Sequence, residues 1–243
     1  MIKNLIKLVL QRIFGFENYL YIFSLFIIKK LPWDKNEKDF LFFLRMIPNE
    51  GALLDIGANI GVMSYYLAHF KPKAHVISFE PISVNFQNLE RIVRKYKLAN
   101  VQIEKYALGE EEGDIEMVMP VVNSVKFHGL SHVIHGSIKE NNEGTLYKVP
   151  IKKLDNIALL QNLTVPVKAI KIDVENFEYF VLKGGEKMIN DFKPIIYAEL
   201  WDGENRKQTF ELLLSLGYKV KVVENGQLVD FEHQSKQNFI FVH

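Results

Sequence analysis

From residue 51 onward, short apolar runs alternate with segments whose apolar residues fall three and four apart. Residues 52–56 form such a run, ending at Gly57, and read as a buried strand; 75–79, 101–108, 167–172 and 195–200 repeat the pattern. Helices are expected between them. One covers 61–69, and another follows Ser83 as N-cap, with Phe86, Leu89, Val93 and Tyr96 on one face. A third carries Phe177, Val181 and Leu182, and a fourth, around Phe210, Leu213 and Leu214, stops at Gly217. Two closing runs, 218–223 and 239–242, are joined near Glu224-Asn225-Gly226, and Asn-Gly is a strong hairpin signal. This alternation predicts an α/β fold: a mostly parallel seven-stranded sheet with helices on both faces and one antiparallel strand near the edge. Residues 120–148 break the rhythm. Gly129, Gly136, Gly144 and Asn141-Asn142 fall in a stretch with little clear period. A connection longer than about 12–15 residues is usually functional or disordered.

The first thirty residues follow another pattern. Ile2, Leu5, Ile6, Val9 and Ile13 recur at helical spacing, with Lys3, Lys7, Gln11 and Arg12 on the other faces. Residues 19–28 are broken only by Ser24 and close on Lys29-Lys30. That run is too short to span a bilayer, which takes roughly 20 residues. Leu31-Pro32-Trp33 offers no small-residue cleavage site for a secretion signal. Residues 1–48 therefore read as an amphipathic helical extension before a domain over 49–243. Two uses of residues 1–30 stay open: covering the core or a homo-oligomer interface, or peripheral contact with an anionic membrane. The expected location is cytoplasmic, with the inner membrane face as the peripheral alternative.

Composition narrows the function classes. The 243 residues carry 30 Lys+Arg against 29 Asp+Glu, a formal charge of +1, so no basic excess suits a nucleic-acid partner. At 48% hydrophobic residues the chain has a real core and is not disordered. The absence of cysteine excludes a disulfide framework, a zinc–cysteine site, a cysteine nucleophile and iron–sulfur ligation.

The most informative stretch is Asp55-Ile56-Gly57-Ala58-Asn59-Ile60-Gly61, where the first strand turns into a helix. In open α/β sheets, ligands bind outside the carboxyl ends of the strands. Gly57 permits a sharp turn, Gly61 close packing of the helix on the sheet, and Asn59 tolerates a left-handed backbone. A dinucleotide loop reads G-x-G-x-x-G; here the glycines are four apart and an acid precedes them. Asp55 suits a cationic amino group better than a pyrophosphate. Glu80 ends the second strand nineteen residues past Gly61, where a carboxylate can accept two hydrogen bonds from a ribose diol. The implied ligand has an adenosine and an amino-acid part but no phosphate, and S-adenosylmethionine fits.

With these residues in place the sequence resembles a class I S-adenosylmethionine-dependent methyltransferase, and more narrowly the FkbM family. The resemblance rests on residues 54–61, on Phe79-Glu80-Pro81 with Asn85 and Leu89, and on Ala107-Leu108-Gly109. It continues through Leu154-Asp155 and Lys171-Ile172-Asp173-Val174-Glu175 to Glu178, Leu182 and Gly184, covering roughly 49–243. One departure is Asn176, where the family usually has glycine. The resemblance implies a Rossmann-like class I methyltransferase fold. It also implies O-methylation of a hydroxyl on a glycan, glycolipid or small metabolite. The cofactor would sit over Asp55, Gly57, Asn59 and Gly61, with Glu80 on the ribose and Tyr106 and Ala107 flanking the adenine.

Methyl transfer from a sulfonium is an in-line displacement in which the protein mainly positions the reactants. An alcohol nucleophile also gains about 10²–10⁴-fold from a base. Asp173 and Glu175, after the fourth strand, are the leading candidates. They share one side of an extended segment, or Glu175 caps the next helix, or the two hold a divalent metal. Lys171 neutralises them. In 120–148, His132 is a second candidate base and His128 a candidate substrate contact, and His132 with His135 has the spacing of a helical metal pair. Glu199 and Trp201 close the fifth strand and are candidates for an acceptor pocket, where an indole suits a sugar ring. The rival readings are N-methylation of a small molecule, a non-catalytic cofactor-binding scaffold and, more distantly, a nicotinamide-dependent oxidoreductase.

Overall fold

A computed structural model describes residues 2–136, 138 and 142–243, with side chains from Leu5 onward. Asn141 of the expected turn lies outside the described residues, as do the side chains of Ile2 and Lys3. Three helices open the chain: α1 (Ile2–Phe14), α2 (Phe16–Lys30) and α3 (Lys38–Met46). The alternating half begins with β1 (Ala52–Ile56), α4 (Val62–Phe70), β2 (His75–Phe79), α5 (Ser83–Tyr96) and β3 (Val101–Glu104). An inserted region follows, holding β4 (Ala107–Leu108), β5 (Gly113–Val122), β6 (Val125–Lys126), β7 (His132–Val133), β8 (Gly144–Lys152) and the short α6 (Ala158–Gln161). The alternation resumes with β9 (Val167–Ile172), α7 (Glu178–Lys183), α8 (Glu186–Phe192), β10 (Ile195–Glu199) and α9 (Glu204–Ser215), and ends in β11 (Lys219–Glu224), β12 (Gln227–Asp230) and β13 (Asn238–Val242).

The main sheet has the order β12-β11-β13-β10-β9-β1-β2-β3. β3, β2, β1, β9 and β10 run parallel, and β13 lies antiparallel between β10 and β11. The sheet is thus the expected one with one more strand. The Asn-Gly turn joins β11 not to the last strand but to β12, a short antiparallel edge strand that the sequence reading passed over.

Every residue of β1 is buried, because both sheet faces are covered. Alternate side chains go to opposite layers. Leu54 and Ile56 pack with Met117, Phe177, Leu182 and Leu213, whereas Leu53 packs with Leu20, Phe40 and Leu67. The second layer contains α2 and α3, so most of the N-terminal extension is part of the core. Tyr19, Leu20, Ser24 and Ile28 recur on one face of α2 and are all buried. Ser24 Oγ donates to the Ile60 carbonyl (3.3 Å) and accepts from Asn88 Nδ2 (2.7 Å), tying α2 to the glycine loop and α5.

Three expectations are corrected. The run 101–108 is two strands: β3 leaves the main sheet at Glu104, and Ala107–Leu108 pair in parallel with Ile151 and Lys152 of β8. The intervening turn carries Tyr106 across the end of the sheet. Ser83 is the first helical residue of α5, with Ile82 at the N-cap and no side-chain cap. Residues 120–148 are not a patternless loop. Parts of the stretch, 120–122, 125–126, 132–133 and 144–148, belong to a second sheet of order β4-β8-β5-β6, with β7 also on β5, and the long β5–β8 hairpin is its spine.

Candidate active site

The chain turns sharply at Gly57 (φ 75°) because it must pass over the end of β9: a Cβ there would meet the Asp173 carbonyl oxygen. The amides of Gly57 and Ala58 both donate to the Phe79 carbonyl, at 3.1 and 2.9 Å, which folds the loop against the end of β2. Asn59 is left-handed (φ 49°), as its type permits. Gly61 (φ 86°) admits α5 rather than the sheet, since its missing Cβ leaves room for Leu89.

A cleft opens beside this loop at the carboxyl ends of β1, β2 and β9. Gly57, Asn59, Glu80, Tyr106 and Ala107 line it, as expected; Asp55 and Gly61 do not. Glu80 is 5% exposed. One carboxylate oxygen accepts from the Asn59 amide (2.9 Å), and the other accepts from the Ile82 amide (2.9 Å) and Asn85 Nδ2 (3.4 Å). Burial pushes its pKa up to about 7 against the pull of these hydrogen bonds. The buried Asn85 Oδ1 has no partner among the described residues, an acceptor left open on the cleft lining. Phe79 and Tyr106, with centroids 5.7 Å apart, form an aromatic wall, and the Lys152 ammonium lies 4.2 Å from the Tyr106 centroid.

Asp55 lies beneath the loop and is fully buried. Its Oδ2 accepts from Ser64 Oγ (2.6 Å), which in turn accepts from Ser78 Oγ (3.0 Å). Lys171 Nζ stands 3.4 Å from Oδ1 in an ion pair without hydrogen-bond geometry, and donates to the Gly57 carbonyl at 3.0 Å. Burial pulls the Lys171 pKa down, but the Asp55 and Asp173 carboxylates outweigh it and the net direction is up. Asp55 thus acts through Lys171 on the loop and does not offer itself to a ligand's amino group.

The acids after β9 diverge. Glu175 and Asn176 are both left-handed (φ 55° and 71°), so Asp173 and Glu175 do not share an extended segment. Nor does Glu175 cap α7, whose N-cap is Phe177. Glu175 lines the first cleft, and burial with the nearby Asp173 and Glu199 pushes its pKa up to about 9. It therefore keeps its proton at neutral pH. Asp173 lines the first cleft and also a second, broader one. Burial raises its pKa against the pull of Lys171. Glu199 stands in the second cleft with a pKa raised to about 7, by burial and then by Asp173. Trp201 is half-buried and lines neither cleft, so the expected indole floor is not there.

The inserted sheet covers the first cleft. His128, Gly129, Ser131 and Val133 form its outer wall. His128 Nδ1 lies 2.9 Å from Asn59 Oδ1, so His128 touches the glycine loop rather than an acceptor. Burial and the Lys7 charge push its pKa down to about 4, which keeps the ring neutral. His132 is not positioned as a base. Its ring nitrogens are engaged by the Leu130 carbonyl (2.8 Å) and Asn142 Oδ1 (3.0 Å), away from both clefts. His135 packs against Phe180, with centroids 4.6 Å apart. Among the described residues no three His, Asp or Glu side chains form a metal-binding group.

Comparison with known proteins places this architecture. The family model described as the methyltransferase FkbM domain matches residues 55–227, well over half of the chain. The chain belongs to the FkbM methyltransferase family. Methyltransferase 1 of Beauveria bassiana is 27% identical over 190 residues, covering 72% of this chain and 75% of that protein. Methyltransferase sdnD of Sordaria araneosa is 22% identical over 198 residues, covering 72% and 76%. The crystal structure of the methyltransferase FkbM from Methylobacillus flagellatus KT superposes with a TM-score of 0.50 at 17% identity. That match covers 80% of this chain but only 44% of the longer solved one, and it speaks for the fold.

Within the FkbM frame, Asn176 holds a left-handed conformation where the family usually has glycine, and its carbonyl accepts from Asn205 Nδ2 (2.6 Å). Three groups of site residues escaped the sequence reading. Glu178 was legible only as part of the family motif; it is buried, and its carboxylate accepts from the Val174 amide at 2.9 Å, which shapes the turn carrying Asp173 and Glu175. Asn85 was likewise legible only as part of the family motif; it lies in the first turn of α5, where its Nδ2 donates to Glu80. Glu37, Asp39 and Tyr197 line the second cleft from elements far apart in sequence, and no spacing rule brings them together.

Proposed function

We propose that the chain is an S-adenosylmethionine-dependent O-methyltransferase acting on a hydroxyl of a small polar acceptor. The observation that carries this reading is the meeting of two clefts at Asp173. One has the features of a nucleoside site; the other is open and polar. The first suits the cofactor on two counts. Its Phe79–Tyr106 wall suits a purine, and Glu80 with the open Asn85 acceptor faces the position of a ribose diol. When bound, S-adenosylmethionine supplies an electrophilic methyl group on a sulfonium.

The chain's own residues then have three tasks. Glu80 and the Gly57–Asn59 loop hold and orient the nucleoside. The inserted sheet, latched by His128 on Asn59, keeps water out of the first cleft. Asp173 accepts the proton of the acceptor hydroxyl while that oxygen bonds to the methyl carbon and the carbon–sulfur electron pair returns to sulfur. Glu175 lines the same cleft beside Asp173. Labelled S-adenosylmethionine incubated with hydroxylated acceptors, and mass analysis of the products, tests the reading. Asp173→Asn is expected to slow transfer by about 10²–10⁴-fold, the worth of a general base, with cofactor binding retained. Undiminished transfer by this variant removes Asp173 from the chemistry.

The N-terminal helices support a second proposal, peripheral contact with an anionic membrane. α1 presents its polar side inward, with Gln11 exchanging two hydrogen bonds with Lys126, while Leu5, Ile6, Val9 and Ile13 face out, Ile13 at 68% exposure. On α2 the exposed Ile22 and Phe26 lead into Lys29 and Lys30, and Trp33 beyond them is 81% exposed. Apolar side chains flanked by basic ones suit a negatively charged lipid surface. Among the described residues no helix is long and apolar enough to cross a membrane. Flotation with phosphatidylglycerol vesicles is expected, and is lost in Ile6→Asp/Ile13→Asp. A concentration-dependent dimer that the same substitutions dissolve, with no vesicle binding, assigns the face to a second copy instead.

A further inference from the structure

The second cleft is lined by six carboxylate residues: Glu37, Asp39, Asp173, Glu199, Asp202 and Glu232. Its basic residues are largely committed elsewhere. Lys171 is held by Asp55 and the Gly57 carbonyl. Arg206 pairs with Asp202 and donates to the Lys236 carbonyl, and Lys236 Nζ donates to the Val223 carbonyl (2.8 Å). His233 stands exposed at the rim. The side chains of Glu37, Asp173 and Glu199, by contrast, form no hydrogen bond or close ion pair among the described residues. Burial and mutual repulsion raise the pKa values of Glu37 and Glu199.

A second observation is independent of this charge. Tyr197, on β10, is 5% exposed, and both sides of its ring are taken by α3, with Phe43 stacked at 5.3 Å and Phe40 edge-on at 6.0 Å. What remains is the hydroxyl. It lines the cleft and has no hydrogen-bond partner among the described residues. Burial raises its pKa, and the surrounding carboxylates of Glu37, Glu199, Asp39 and Asp173 push it up further. The hydroxyl is the accessible end of an otherwise buried ring and opens on the cleft, a position for a ligand's polar group.

We infer that the second cleft binds an amine-bearing, hydroxylated small molecule, its ammonium held among Glu37, Asp39, Glu199 and the Tyr197 hydroxyl and its reacting hydroxyl directed to Asp173. An anionic acceptor would add repulsion to an already acidic lining, and a neutral one would bury carboxylates without compensating them. An ammonium has three donors for these acceptors and cancels their charge. An aminated sugar has the required combination. This reading rests on the assignment of the first cleft to the cofactor and names the acceptor class that would meet it.

The test is a calorimetric titration of the full chain with glucosamine, N-acetylglucosamine and glucuronate, with and without S-adenosylmethionine. Saturable glucosamine binding is expected, tighter than that of the other two by about tenfold or more, the scale of a charge-assisted hydrogen bond. Tyr197→Phe and Glu199→Gln should each weaken it by about tenfold and leave S-adenosylmethionine affinity unchanged; a melting curve checks that both variants fold. The inference is overturned if glucosamine does not bind, if N-acetylglucosamine or glucuronate binds as well, or if neither substitution matters. Failure of S-adenosylmethionine to bind the unaltered chain strikes the cofactor assignment instead, and the glucosamine titration without cofactor still reads the second cleft.

Discussion

In the cleft beside the glycine loop the polar groups are bonded mainly to the protein itself. Both Glu80 oxygens accept from neighbouring groups, Asn59 meets His128, and Asp55 and Lys171 brace the loop from below. Across Asp173, in the second cleft, Glu37, Glu199 and the Tyr197 hydroxyl have no side-chain hydrogen bond among the described residues. The first arrangement is preorganised, so substitutions there should cost folding stability as well as ligand affinity. The second keeps its hydrogen-bonding capacity unspent, so substitutions there should alter acceptor binding and little else. Stability and binding therefore separate the two clefts experimentally.

The largest effect is expected from Lys171→Met, which leaves the fully buried Asp55 without its counter-charge. Breaking a buried pair from one side costs about 3–5 kcal/mol, read from chemical denaturation. Adding Asp55→Asn should restore much of that loss, and no recovery would mean that Lys171 works by another route. Gly57→Ala comes next, at about 3 kcal/mol for a strained left-handed residue, because the new Cβ meets the Asp173 carbonyl. A melting curve like that of the parent protein would remove the close approach from the account.

A smaller effect concerns pH. Glu80, Glu178 and Glu175 are raised to about 7, 8 and 9, chiefly by burial. Between the ordinary carboxylate value and these, the folded protein holds protons that the unfolded chain has released. Stability is thus full at acidic pH and falls as pH rises through 7–9. Glu175→Gln should flatten that descent in denaturation curves taken across the range; an unchanged slope contradicts the assignment of a proton to Glu175. Smallest of all, Glu199→Gln should cost no more than about 0.5 kcal/mol of stability, since it also removes the repulsion with Asp173. A larger loss would mean that the second cleft is braced as firmly as the first.

Much of this architecture was legible in the sequence for a physical reason: parallel strands buried on both faces read as runs dominated by apolar residues, and 52–56 and 167–172 do so despite Asp55, Lys168 and Lys171. The glycine loop and Glu80 were legible because backbone geometry and strand-end position constrain residue type. Asp55 misled because its position in the sequence does not say which way its side chain turns, and it turns beneath the loop. The inserted sheet escaped notice although β8 alternates, with Tyr147, Val149 and Ile151 on the more buried side and Lys148, Pro150 and Lys152 out; scattered glycines and prolines hid the period. The second cleft was legible at Asp173 and Glu199, but Glu37, Asp39 and Tyr197 come together through tertiary packing alone.

The most direct test of the central claim is a calorimetric titration of S-adenosylmethionine into the parent chain, Glu80→Ala and Glu199→Gln. The account predicts one site in the parent chain, affinity weakened by about 1–3 kcal/mol in Glu80→Ala, the scale of lost charge-assisted hydrogen bonds, and undiminished affinity in Glu199→Gln. No binding to the parent chain, or equal losses in the two variants, would contradict it.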